Sequence, residues 1–359
     1  MRREINEKEI AHSYFHARLR ATMSWRIVVT AQAMVRSGQA ALSRLRESGH
    51  ELIFPVQTAV LSGAELRTLL PGIDAVIAGT ERYDAPLLND PGLSQLKLIS
   101  RWGVGYDSID VPAATTAGVI IAYTPGLLNE TVADYAFSLL CALARRIHTG
   151  HQELSLGRWI PSWGHNIHGK TLGLLGCGRI GLAMARRASG FGMRLLAHDP
   201  RPSDEARQAG VHFVSLDQLL RESDFISVHA ALTPETRGLI GEPELRRMKP
   251  SAYLINTARG ALLDEAALGM VLREGVIAGA ALDAFQKEPL SADHALLGAP
   301  NLLLTPHQAS FTRETGAMVS DAAGQAVLET AAGRRPRWVV EEAVFRSPAL
   351  RTPIHTHTG

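Results

Sequence analysis

A chain of 359 residues, 46% hydrophobic and 20% charged, can build a sizeable core and has the length of about two domains. Its 37 Lys and Arg against 35 Asp and Glu leave a net charge of +2, too weak a field to point at nucleic acid or an anionic membrane. The two cysteines, Cys141 and Cys177, stand far apart, which argues against a disulfide scaffold or a thiolate metal site and fits a reducing, cytoplasmic setting. Residues 1–24 are polar and read as an N-terminal extension, either an extra helix or a loose arm. They contain no apolar stretch of the kind a secretory leader carries, and no later apolar run reaches the roughly 20 residues of a membrane span.

From Trp25 onward, apolar β-rich runs alternate with helical stretches. Strands are expected at Arg26–Ala31, Glu51–Val56, Ala75–Gly79, Leu96–Trp102 and Val119–Pro125, with helices at Gln39–Ser48 and Ala64–Leu70 between them. Thr131–Arg146 then reads as a long helix opened by the capping residues Asn129 and Thr131. It is apolar nearly all round, so it should be covered on more than one side, as in a homodimer interface. Leu156–His168 reads as an irregular connection. A second series of strands follows at Leu172–Gly176, Arg194–Asp199, Phe213–Leu216, Phe225–Ala230, Ala252–Ala258, Gly279–Phe285 and Leu302–His307. Thr312–Ala332 closes the pattern as a helix, and residues 341–359 read as a tail, frayed from Ser347. Continuous apolar strands alternating with helices predict an α/β fold of two Rossmann-like or flavodoxin-like parallel-sheet domains.

Gly176-Cys177-Gly178-Arg179-Ile180-Gly181 is a G-x-G-x-x-G placed between a predicted strand and a predicted helix. The first glycine permits the tight turn, the second lets a pyrophosphate approach the backbone, and the third lets helix pack on strand. The helix N-terminus then offers N–H groups and a positive dipole end to the phosphates. Asp199, at the end of the next strand, would accept hydrogen bonds from a ribose 2′-OH and repel a 2′-phosphate, so NAD is favoured over NADP, although Arg201 stands nearby. About 175 residues precede this loop, so the cofactor domain (127–307) is expected to be inserted into a substrate domain made of 25–126 and 308–340.

Ligands of open parallel sheets sit beyond the carboxyl ends of the strands, and three residues able to do chemistry lie there. Arg259 follows AYLINTA, Glu288 follows GAALDAF, and His307 ends LLLTPH. A neutral His takes a proton near pH 7, a neighbouring carboxylate orients it and stabilises its charged form, and an Arg fork holds a carboxylate. His148 with His151 and His165 with His168 have metal-like spacing but no third ligand, so no metal is expected. Cys177 sits at a helix end that could lower its pKa, yet packing is the favoured reading over redox sensing.

The chain resembles the D-isomer-specific 2-hydroxyacid dehydrogenase family over roughly Trp25 to Ala332. The resemblance rests on SRWGVGYDSIDVPAATTAGV, GKTLGLLGCGRIG with HDP, MKPSAYLINTARGALLDEAAL, AGAALDAFQKEPL and TPHQAS. It implies NAD-dependent interconversion of a D-2-hydroxy acid and its 2-keto acid. In that reading Arg259 binds the carboxylate and keto oxygen, Glu288 pairs with His307, and His307 is the acid/base. The Gly103-Val104-Gly105 backbone, with Trp102 and Thr80 beside it, would bind substrate. His229, Thr257, Ala258 and Asp283 would line the cofactor, Asp283 at the nicotinamide carboxamide. A cleft between the domains would close over the reaction.

Departures from the family narrow the acid. Glu288 stands where formate-oxidising members have Gln. Gly79-Thr80 stands where phosphoglycerate enzymes usually carry Arg-Ser, although Arg82 and Arg158 could substitute. Substrates left open are D-3-phosphoglycerate and the glyoxylate/hydroxypyruvate pair. The alternatives are a non-enzymatic NAD-sensing, corepressor-like protein, or a dehydrogenase of another small anion such as phosphite.

Overall fold

The computed structural model describes residues 24–56 and 59–355, so the predicted N-terminal extension lies outside them apart from Ser24. The chain divides into two compact units, with breaks after Leu127 and after Phe311. These breaks fall one and four residues from those expected.

The first unit holds a five-stranded, all-parallel sheet of β1 (Arg26–Val29), β2 (Glu51–Ile53), β3 (Ala75–Ala78), β4 (Leu98–Arg101) and β5 (Ile120–Ala122), in the order β2-β1-β3-β4-β5. Successive side chains of each strand go to opposite faces. Ile27 and Val29 enter one core with Met34, Leu45, Val319 and Val327, whereas Val28 enters the other with Leu66, Val76 and Ile99. The Arg313–Ala331 helix, capped by Thr312, is thus part of this unit, as its place at the end of the pattern implies. The reading of a frayed end is overturned as far as His355. Leu350 and Ile354 pack on the core, Thr352 is buried, and the Arg351 guanidinium donates to the carbonyls of Leu93 and Leu96.

The second unit holds seven parallel strands: β6 (Thr171–Leu175), β7 (Arg194–His198), β8 (Val211–Phe213), β9 (Phe225–Val228), β10 (Tyr253–Asn256), β11 (Gly279–Leu282) and β12 (Leu302–Leu304). Their order is β12-β11-β10-β9-β6-β7-β8. The order reverses at β6, so the loop after β6 opens at the switch point where α/β sheets bind ligands. Phe213–Leu216 is not a strand: β8 ends at Phe213, because the Ser215 hydroxyl accepts the Gln218 N–H and caps the Leu216–Glu222 helix.

The long helix runs Asn129–Ala144 with no side-chain cap, so neither Asn129 nor Thr131 plays that part. Ala133, Ala136, Leu139, Leu140 and Leu143 are buried within this unit, against the Arg179–Ser189 helix and the sheet. Its uncovered stripe is Glu130, Asp134 and Ser138, so the helix needs no second chain to cover it. Among the described residues no helix is long and apolar enough to cross a membrane.

Candidate active site

The glycine loop behaves as its spacing predicts. Gly176 has φ +87°, and a Cβ on it would come within 2.6 Å of the Ala230 nitrogen beyond β9. A Cβ on Gly181 would sit 2.5 Å from the Gly176 carbonyl, while one on Gly178 would meet nothing within 4 Å. The open side of the loop therefore lies at its second glycine, where the Arg179–Ser189 helix begins without a side-chain cap. Arg179 is exposed and Ile180 half-buried there. Asp199 accepts the Cys177 N–H on one oxygen and the Arg201 N–H on the other, both at 2.8 Å, which fixes a carboxylate at the loop's edge. Burial and then the Asp199 charge push the Cys177 thiol up to about 11. The thiol is buried and the helix end does not activate it.

Other cofactor candidates flank this loop. The His229 Cβ lies beside Gly181, its ring shares a 2.9 Å hydrogen bond with the Ser227 hydroxyl, and burial lowers its pKa to about 4, so it is neutral at pH 7. Thr257, just past β10, has a buried hydroxyl with no hydrogen-bond partner, an orphan that a bound group would satisfy. Ala258 follows it, half-buried. These features fit a dinucleotide. Asp283, expected at the nicotinamide carboxamide, follows β11 directly. It is fully buried, and its oxygens accept the Thr305 hydroxyl (2.6 Å) and the backbone N–H groups of Gln308 and Ala309 (3.0 and 2.8 Å). It braces the segment that carries His307.

His307 itself has φ +50°, a left-handed conformation that His tolerates better than most residues. Its Nδ1 lies 2.7 Å from Glu288 Oε2, while Glu288 Oε1 accepts the Phe285 N–H at 2.9 Å. Burial works to raise the Glu288 carboxyl. It is outweighed by the His307 hydrogen bond and charge, the Phe285 N–H and the Arg259 charge, so the group is held below the ordinary carboxylate range. The structure thus brings Arg259, Glu288 and His307 together. Asn256, which the sequence reading missed, clamps the Arg259 turn: its amide donates to the Arg259 carbonyl and accepts the Ala258 N–H. Its signal was a polar residue inside an otherwise apolar strand.

In the first unit, Gly103 has φ +132° and exchanges hydrogen bonds with Thr124, whose hydroxyl accepts the Gly103 N–H (3.1 Å) and whose N–H donates to the Gly103 carbonyl (3.0 Å). Arg101 donates to the Trp102 carbonyl. Val104 and Gly105 are half-buried and Thr80 is exposed. Trp102 is a correction: its ring is buried in the core with the indole N–H on the Ser320 hydroxyl at 2.9 Å, so its side chain does not reach a substrate. Of the two basic substitutes, Arg82 lies 3.8 Å from Asp84, and in the second unit Arg158 is doubly hydrogen-bonded by Glu153. Among the described residues no group of three metal-ligating side chains occurs. His165 instead shares a hydrogen bond with the Tyr253 hydroxyl.

Residues 137–309 match the family model described as D-isomer specific 2-hydroxyacid dehydrogenase, NAD binding domain. A glyoxylate reductase of Korarchaeum cryptofilum is 43% identical over 292 residues, which is 77% of this chain and 88% of that protein. A D-3-phosphoglycerate dehydrogenase of Archaeoglobus fulgidus is 37% identical over 82% of this chain and 56% of its own length. The apo structure of D-lactate dehydrogenase from Escherichia coli superposes with a TM-score of 0.75 at 32% identity, over 88% of this chain and all of that one. A nucleotide loop at the switch point, a strand-end Arg beside a His–Glu pair, and relatives of this closeness lead to one conclusion: the chain is an NAD-dependent oxidoreductase of D-2-hydroxy acids, belonging to the D-isomer-specific 2-hydroxyacid dehydrogenase family.

Proposed function

We propose that this enzyme reduces a small, unphosphorylated 2-keto acid of the glyoxylate or hydroxypyruvate class, with His307 as the acid. The observation that carries the assignment is the 2.7 Å contact between His307 Nδ1 and Glu288. With Nδ1 so engaged, Nε2 is the nitrogen left to hand a proton to the forming alkoxide. Glu288 stays ionised and stabilises the imidazolium, and Arg259 takes the carboxylate and the charge growing on the keto oxygen. Bound NADH supplies the hydride. Gly176, Gly178 and Gly181 would hold its pyrophosphate. Asp199 would take the 2′-OH, so NADH is preferred to NADPH, and His229 and Thr257 would line the nicotinamide side. In the first unit, the backbone of Gly103, Val104 and Gly105 would donate to the substrate carboxylate.

Against a phosphorylated acid stand Gly79 where an Arg would be needed, Arg82 beside Asp84, and Arg158 already bound by Glu153. The test is kcat/KM with NADH against glyoxylate, hydroxypyruvate, pyruvate and 3-phosphohydroxypyruvate. Preference for the phosphorylated acid would overturn the substrate assignment.

The protein acts as a homodimer in this reading. The Ile147–Ser155 helix has no buried residue, and Trp159 and Trp163 are 84% and 95% exposed, with Leu154, Leu156 and Ile160 exposed beside them in sequence. Apolar surface of this kind marks an interface, and a second copy is its occupant. Two free cysteines, one a buried thiol, suit a cytoplasmic location.

A further inference from the structure

Glu265 opens the Glu265–Arg273 helix, yet it is only 4% exposed, and the reaction described above does not use it. One of its oxygens accepts the Gln286 backbone N–H at 2.6 Å. The other lies 3.2 Å from Nε2 of His294. The Gln286 side chain donates to the Leu263 carbonyl at 2.6 Å, so this point of the loop is tied through both main chain and side chain. On its other side the loop passes so close to Gly260 that a Cβ there would overlap the Phe285 carbonyl carbon and the Gln286 nitrogen. The segment leading to Glu288 is therefore gripped twice, by contact with the turn that carries Arg259 and by hydrogen bonds around Glu265.

We propose that Glu265 is a positioning residue for the proton transfer: by holding the Gln286 backbone, with His294 as its partner, it fixes the 285–288 loop and so the place where Glu288 meets His307. The proposal rests on reading His307 and Glu288 as the acid/base pair. Around this run of contacts the charged and titratable groups are His294, with Asp293 and Lys287 near it, then Glu288 and Arg259, and Asp283 beside His307. Burial raises the Glu265 carboxyl, a rise the neighbouring Glu288 charge adds to, while the Gln286 N–H and His294 pull against it.

Two variants separate position from charge. Glu265→Gln keeps an oxygen for the Gln286 N–H but loses the charge. Glu265→Met fills the same volume with no comparable acceptor. With NADH and glyoxylate, Glu265→Met is expected to lower kcat on the pH plateau by about 10- to 100-fold, the usual consequence of a misplacement near 1 Å. Its KM for NADH should stay within about twofold, since the cofactor loop is untouched. Glu265→Gln should keep most of the plateau kcat, because it retains an oxygen for the Gln286 N–H. His294→Leu should give a smaller loss than Glu265→Met in the same direction, and it carries the test if Glu265→Met does not fold. Unchanged kcat in Glu265→Met and His294→Leu, with His307→Ala inactive, overturns the positioning role and leaves the acid/base pair standing. Near-full kcat in His307→Ala overturns both.

Discussion

In the proposed reaction His307 and Glu288 carry the proton, and their 2.7 Å contact bears on how rate follows pH. Glu288 is held below the ordinary carboxylate range, so it remains ionised as pH falls through the range where a free carboxyl takes up its proton. Reduction should therefore hold its rate through mild acid, where an ordinary carboxyl in this place would already have lost its charge. Glu288→Gln keeps the shape and removes the charge that favours the imidazolium, so kcat for reduction should fall. His307→Ala should cost roughly 10²–10⁴ in kcat, the usual worth of general acid–base catalysis, with NADH binding retained. Steady-state profiles in both directions check this. Asp199 makes a second case: replaced by Ala, it should erode a preference for NADH over NADPH in kcat/KM, which paired assays would show. Arg259, Glu288 and His307 were legible in the sequence because a charged residue at the end of an apolar strand has few structural reasons to be there. Glu265, Asn256 and Thr124 were not. Their work is done through backbone groups of distant residues, and nothing in local spacing reveals which N–H a buried oxygen will meet.

Among the elements, strands were easier to read than their limits. Apolar runs located every strand but one, and the exception is instructive. Phe213–Leu216 looks like a strand by apolar content, but Ser215 turns the chain into a helix by accepting the Gln218 N–H. The Asn129–Ala144 helix shows the opposite limit. Its composition announced burial correctly, whereas the identity of the covering surface belonged to tertiary structure: the Arg179–Ser189 helix and the sheet supply the cover within one unit. Leu140 is fully buried at that contact. Leu140→Ala should lower unfolding free energy by about 2–5 kcal/mol, the range for a large-to-small change in a close-packed core. Denaturant titration with an unchanged m-value would show the loss as one of native stability.

At the scale of the whole molecule, the proposed dimer rests on the exposed apolar residues of the segment that reads as irregular in sequence. Trp159→Ser with Trp163→Ser should shift light scattering at micromolar protein from about twice the 38.8 kDa chain mass toward a single chain. A monomeric unmodified protein would sink the dimer. The relay has its own consequence at this scale. The hydrogen bonds described around Glu288 and His307 are made between residues within 128–311, and those that hold Gly103 are made inside the first unit. In the proposed reaction the proton donor and the Gly103 loop thus lie on separate stretches of chain and are separately mutable. Gly79→Arg should raise kcat/KM for 3-phosphohydroxypyruvate relative to glyoxylate by about tenfold, the scale of one added charged contact, while His307→Ala should cost the same in kcat on either acid. A lineage built this way can exchange its appetite for one acid for another while inheriting the same proton donor unaltered.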